Sequence, residues 1–131
     1  MIVVDSNILA YLYLPGPHSQ SADALLRQDP QWAAPLLWRS ELRNVLAGYL
    51  RRSALSFGQV CAIQREAEDL MAGAEFEVDS RQVFELVRIS ACSAYDCEFV
   101  ALARQLATRL FTMDKQLLRA FPGLAEPLPA A

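Results

Sequence analysis

Ile2, Val3 and Val4 form an unbroken apolar run, all β-branched, that ends on an acid, Asp5. Such a run has no polar face, so as a strand it must be covered on both sides, like a strand inside a parallel sheet. The rest of the chain alternates in the way such a sheet requires. Ile8 to Leu14 reads as a helix stopped by Pro15-Gly16-Pro17. Ser19 or Ser21 is expected to cap a second helix over Ala22 to Gln28, ended near Pro30, and Trp32-Ala33-Ala34 gives a weak second strand before Pro35. Leu36 to Arg52 has the spacing of a long helix, with Leu42, Val45, Leu46, Tyr49 and Leu50 on its apolar face. Ser56 caps the next helix, which runs to about Met71 before Gly73. Phe76 and Val78 alternate with Glu75 and Glu77, the pattern of an edge strand. Ser80 is expected to cap a helix to about Ala91, and Ser93 another that continues to Ala107. Leu110 to Met113 reads as a fourth strand, followed by Asp114 and a short helix through Leu117-Leu118. The proline-rich tail from Pro122 leaves room for a short edge strand. The alternation predicts one α/β domain over 1–131, a three-layer α/β/α fold with a mostly parallel sheet of four to five strands.

Composition agrees with a globular chain: of 131 residues, 53% are hydrophobic and 21% charged. No apolar run approaches the ~18 residues of a membrane span. Asp5 interrupts the N-terminal apolar stretch too early for a signal peptide, so a cytoplasmic location is expected. Cys61, Cys92 and Cys97 are odd in number and form no C-x-x-C pair, so they read as small core residues rather than zinc ligands or disulfide partners. His18, the one histidine, lies beside Gly16-Pro17 and reads as a surface or capping residue. Mechanisms that need two histidines are excluded, and no G-x-S-x-G elbow supports a serine triad.

Ligands of α/β sheets bind beyond the carboxyl ends of the strands, which is where acids stand in this chain. Asp5 follows the first strand directly and Asp114 follows the fourth. Each would also serve as a helix N-cap. Asp96 occupies the third position of a helix opened by Ser93, on the face shared with Val100 and Ala103. An unpaired carboxylate on a packed face is costly and calls for a cation or a hydrogen-bond donor. Glu98 points roughly the other way and reads as solvated or ion-paired. Glu41 begins the long helix at the fringe of its apolar face, with Asn44 one turn later as a hydrogen-bonding support. In a doubly wound sheet these four acids converge, and four close carboxylates persist only with bound cations. Oxygen ligands alone select Mg²⁺ or Mn²⁺ over Zn²⁺. Such ions cleave phosphodiesters without a side-chain base. The net charge of −3 speaks against a nucleic-acid partner, but two divalent ions would bring it to +1.

Four segments, V-V-D-S-N-I-L-A-Y-L, S-E-L-R-N-V-L, S-A-Y-D-C-E-F-V-A-L-A and L-F-T-M-D-K-Q-L-L, occur in this order over nearly the whole chain. Together they resemble the PIN-domain family, in particular the VapC-type toxins of bacterial toxin–antitoxin pairs. The resemblance implies that Asp5, Glu41, Asp96 and Asp114 bind Mg²⁺ or Mn²⁺, with Asn7 and Thr112 in support. It implies an endoribonuclease acting on structured RNA, a small antitoxin in a groove between the early helices, and a homodimer. Cys97 stands where many relatives are expected to carry Ala.

Arg39, Arg43, Arg51, Arg52 and Lys115 lie near the acid-bearing helices and are candidate phosphate contacts. Arg51-Arg52 also suits the dipole at a helix end. Two other functions compete. A phosphatase with Asp5 as nucleophile is disfavoured because the position two residues on is Asn7 rather than a second Asp. A non-catalytic binding module is disfavoured because all four acids are present.

Overall fold

The computed structural model describes residues 1–130. In chain order the elements are β1 (Ile2–Val4), α1 (Ser6–Tyr13), α2 (Ser19–Gln28), β2 (Trp32–Pro35), α3 (Leu37–Arg51) and α4 (Phe57–Leu70). They continue with β3 (Glu75–Phe76), α5 (Ser80–Arg88), α6 (Ala94–Gln105), β4 (Leu110–Phe111), α7 (Lys115–Ala120) and β5 (Ala125–Glu126). The strands form one parallel sheet in the order β3-β2-β1-β4-β5, with helices on both faces. β1 is central, as its apolar sequence requires, and all three of its residues are buried. Val3 pairs with both Ala33 and Leu110, and Val4 with Phe111.

Strand order reverses at β1. From there the chain steps outward to β2 and β3, then returns to the other side for β4 and β5. The carboxyl ends of β1 and β4 therefore flank the switch point, where open α/β sheets form their crevice. β3 lies at one edge, as its alternating pattern predicts, and β5 at the other.

Helix starts follow local chemistry. Ser56 forms a full capping box with Gln59, and the Ser93 hydroxyl accepts from the Asp96 amide at 3.1 Å. Two expected caps differ. Asp79, not Ser80, caps α5 by accepting from the Gln82 amide, because the carboxylate one residue earlier reaches that donor. His18 holds the cap position of α2, while the Ser19 hydroxyl donates to the Leu14 carbonyl. α6 stops at Gln105 rather than Ala107. Ala107 turns left-handed (φ 53°), and the Thr108 amide donates to the Ala103 carbonyl, closing the helix with a Schellman turn.

The core takes in one residue not expected there and leaves out two that were. Trp38, Leu42 and Leu46 are the buried face of α3, whereas Leu50 is exposed. Replacing fully buried Leu42 with Ala would cost about 2–5 kcal/mol. Cys92 and Cys97 are buried as expected, but Cys61 is exposed on α4. Among the described residues no helix is long and apolar enough to cross a membrane.

Candidate active site

The crevice at the switch point is a cleft of about 360 Å³ lined by Asp5, Glu41, Asp96 and Asp114, together with Asn7, Asn44, Tyr95 and their neighbours. Each acid arrives from a different element. Asp5 ends β1 and is the N-cap of α1, but its side chain makes no capping bond. It is nearly buried, and Oδ2 instead accepts from Thr112 Oγ1 at 2.7 Å. Asp114 caps α7, with Oδ1 accepting from the amides of Gln116 (2.8 Å) and Leu117 (3.1 Å). Glu41, in the second turn of α3, accepts at Oε1 from Ser6 Oγ at 2.6 Å. Asp96 sits in the first turn of α6.

Each carboxylate keeps at least one oxygen without a hydrogen bond among the described residues: Asp5 Oδ1, Glu41 Oε2, Asp114 Oδ2, and at least one on Asp96, which has only the Ser93 hydroxyl beside it, short of full hydrogen-bond geometry. Burial raises the pKa of Asp5 above the ordinary aspartate value. Thr112 and the amides of Ser6 and Asn7, which face it without full hydrogen-bond geometry, pull it part of the way back. Burial also raises Glu41, with Ser6 opposing and Asp5, Asp96 and Glu98 adding to the rise. Asp96 is raised by burial and then by Asp114 and Asp5, with the Ser93 hydroxyl opposing. The acids are thus close enough to repel through the protein. Among the described residues, however, no three Asp, Glu, His or Cys side chains form a ready-made ligand set. Thr112, Ser6 and the α7 amides hydrogen-bond three of the carboxylates, Asp5, Glu41 and Asp114. Four hard oxygen donors in one cleft, with lone pairs uncommitted, fit Mg²⁺ or Mn²⁺.

The other sequence-predicted residues divide. Thr112 is fully buried and also accepts from the Asp114 amide at 3.0 Å. Asn7 and Asn44 line the cleft and are exposed, but neither side chain hydrogen-bonds to a carboxylate among the described residues. Ser6 makes the bond to Glu41 expected of Asn44. Its signal was its place, one residue after Asp5 on the first turn of α1, where a short hydroxyl faces α3. Tyr95 and Ser40, also in the cleft, had no such signal.

Arg39 is turned away. It grips Glu75 through Nε (2.6 Å) and Nη2 (2.8 Å), with Glu68 at 3.3 Å, so its charge is already paired with two carboxylates. Arg43 opens onto a larger hollow of about 540 Å³ between α3 and α4, lined also by Leu46, Val60 and Arg65. Lys115 is exposed at the start of α7, next to Asp114. Arg52 lies over the Tyr49 ring at 4.8 Å. His18, half-buried, lies against Tyr11 with ring centroids 4.8 Å apart and the planes tilted by 48°. Glu98 faces away from the cleft, as expected. Of its two expected states ion pairing is not seen: it is half-buried, takes part in no salt bridge among the described residues and lines a hollow with Leu36, Phe76 and Phe84. Burial raises its pKa.

Known proteins share this outline. The family described as PIN domain matches residues 2–122. Ribonuclease VapC3 of Pyrobaculum aerophilum is 27% identical over 129 residues, which cover 96% of this chain and 98% of that protein. Among solved structures, PAE2754 from Pyrobaculum aerophilum superposes with a TM-score of 0.76 at 17% identity, over 97% of this chain and 83% of that one. A toxin–antitoxin complex from Klebsiella pneumoniae gives a TM-score of 0.71 at 20% identity, over 96% of each chain.

Proposed function

The chain belongs to the PIN domain family, and on that premise we propose that it is a Mg²⁺- or Mn²⁺-dependent endoribonuclease, the toxin of a toxin–antitoxin pair. One observation carries the reading: four carboxylates remote in sequence line one cleft, each with an oxygen the fold leaves free. The relative named a ribonuclease, aligned over nearly the full length of both chains, supports RNA as the substrate class.

Asp5, Glu41, Asp96 and Asp114 would hold the metal. A bound divalent ion supplies Lewis acidity for the scissile phosphodiester and for the attacking water. The chain's own contribution is to present the carboxylates in fixed rotamers. Thr112 fixes Asp5, Ser6 fixes Glu41, and the α7 amides fix Asp114. His18 lies against Tyr11 and is not among the residues that line the cleft, so no role as a base is assigned to it. Lys115, exposed beside Asp114, is the cation offered to RNA phosphates, whereas Arg43 opens onto the hollow between α3 and α4.

The partner of such a toxin is an antitoxin protein. The hollow between α3 and α4, lined by apolar Leu46, Ala47 and Val60 and by charges of both signs (Arg43, Arg65, Glu68 and Asp69), suits a segment that carries apolar side chains flanked by charged ones. Exposed Phe84 and Leu36, around a hollow with Phe76 and Val78, supply an apolar face for a homodimer. The location proposed is the cytoplasm. The test is purified protein on total cellular RNA with Mn²⁺, with EDTA, and as the Asp5→Asn variant, followed by mapping of the new ends. Cleavage that needs Mn²⁺ and is lost in Asp5→Asn supports the reading. Cleavage that survives EDTA, or none at all, ends it.

A further inference from the structure

Of the chain's four tyrosines, three pack against the core and one does not. Tyr11, Tyr13 and Tyr49 are partly buried against apolar neighbours. Tyr95 is 62% exposed, and among the described residues it has no hydrogen-bond, aromatic or cation partner. It nevertheless lines the cleft of the four acids, one residue before Asp96 in the first turn of α6. Ser93 caps that turn, so the backbone carrying the ring is fixed. Exposing a large aromatic side chain gives up burial energy, so an unpacked ring at a polar site is available to a ligand.

The rest of the cleft narrows the ligand. Leu37 and Val45 from α3 give it apolar wall beside the acids. Asn7 and Asn44 bring side-chain amides that make no hydrogen bonds among the described residues. A phosphate at the acids needs none of this. A flat apolar body with a polar edge does, and in RNA that body is a nucleobase taken out of its stack. A paired base inside a helix cannot offer its face to a side chain.

Resting on the nuclease reading above, we infer that Tyr95 is the base-stacking residue of this site: it holds an unpaired nucleobase next to the scissile phosphate, while Asn7 and Asn44 meet the base edge. A base held in this way has to be unpaired at the cut. Tyr95 sets where the phosphate lies and which structures are accepted, and takes no part in bond cleavage.

The test uses a short single-stranded RNA containing a mapped cleavage site, with 2-aminopurine placed on either side of the cut, and the same RNA annealed to its complement. Binding is read from 2-aminopurine fluorescence with Ca²⁺ in place of Mn²⁺. Cleavage is read with Mn²⁺ for wild type, Tyr95→Phe and Tyr95→Ala. Tyr95→Phe is expected to keep KM and the stacking signal. Tyr95→Ala is expected to raise KM about 5- to 150-fold with a smaller change in kcat, to lose the signal, and to melt like wild type. An abasic nucleotide at the responding position should raise wild-type KM by a similar factor and add little to Tyr95→Ala. Duplex RNA should be cut poorly. Wild type that cuts RNA while Tyr95→Ala keeps its KM overturns the inference and leaves the nuclease reading standing. Equal cutting of duplex and single strand does the same, as does a Tyr95→Ala effect confined to oligomeric state. Wild type that cuts no RNA overturns both.

Discussion

Thr112 Oγ1 donates to Asp5 Oδ2 at 2.7 Å, linking residues 107 apart at the carboxyl ends of neighbouring strands. The same oxygen accepts from the Asp114 amide at 3.0 Å, so one hydroxyl locates two acids. It is fully buried. Thr112→Val keeps the shape and removes the bonds. It is expected to lose about 1–3 kcal/mol of stability through the unsatisfied buried groups. Mn²⁺ affinity or cleavage should fall about 10–100-fold. Thr112→Ser should retain most of both. Calorimetric Mn²⁺ titration and thermal melts read these quantities, and unchanged affinity in the valine variant would count against Asp5 as a ligand.

Asp96 illustrates the conflict between stability and function in such a cleft. Burial and the charges of Asp114 and Asp5 disfavour its carboxylate. Asp96→Asn removes that charge, so in EDTA the variant should melt above wild type. Added Mn²⁺ should raise the wild-type melting point by mass action and the variant's far less. Cleavage should fall by more than the roughly 10–100-fold typical of residues that only support a ligand. A variant stabilised by Mn²⁺ as much as wild type would remove Asp96 from the ligand set.

The sheet and the position of the acids were legible because both follow from short-range pattern. A strand with no polar face had to be central, and an acid directly after it had to point out of the sheet's end. Edge strand β3 was visible in the alternation of Glu75, Phe76, Glu77 and Val78. Contacts between side chains of distant elements were not legible. The place of Ser6 next to Asp5 hints at the cleft but does not rank it above Asn44 as the donor to Glu41, and nothing local marks Arg39 as bound to Glu75 on another element. Cap positions slipped by one residue at α5 because Asp79 and Ser80 are both good caps, and which of them is used depends on how the chain leaves β3.

Ser6 and Asn44 give a direct test of that distinction. The Ser6 hydroxyl is buried and spans 2.6 Å to Glu41, whereas Asn44 is exposed beside it. Ser6→Ala frees the Glu41 rotamer and is expected to weaken Mn²⁺ binding about 10–100-fold. Asn44→Ala should leave Mn²⁺ binding within a few-fold of wild type. Titrations of both variants decide the matter, and the reverse ranking would restore Asn44 as the supporting residue.

Glu75 holds a different part of the molecule together. It accepts from Arg39 twice and from buried Trp38 Nε1 at 2.8 Å, so it joins β3 to α3. The hydrogen bonds from Arg39 are the main reason its pKa lies below the ordinary 4.5, with burial opposing. A carboxylate whose pKa is lowered by folding stabilises the fold above its unfolded value. That contribution disappears as pH falls through the lower folded value. Glu75→Gln keeps an acceptor for Trp38 and loses the ion pair. It should be less stable than wild type at neutral pH, with the difference closing below pH 4.5. Glu75→Leu also orphans the indole N–H and should lose about 1–3 kcal/mol more, at every pH. Urea unfolding from neutral pH downward measures both. A Gln variant whose deficit is the same on either side of that range would mean that the charge of Glu75 does not stabilise the fold.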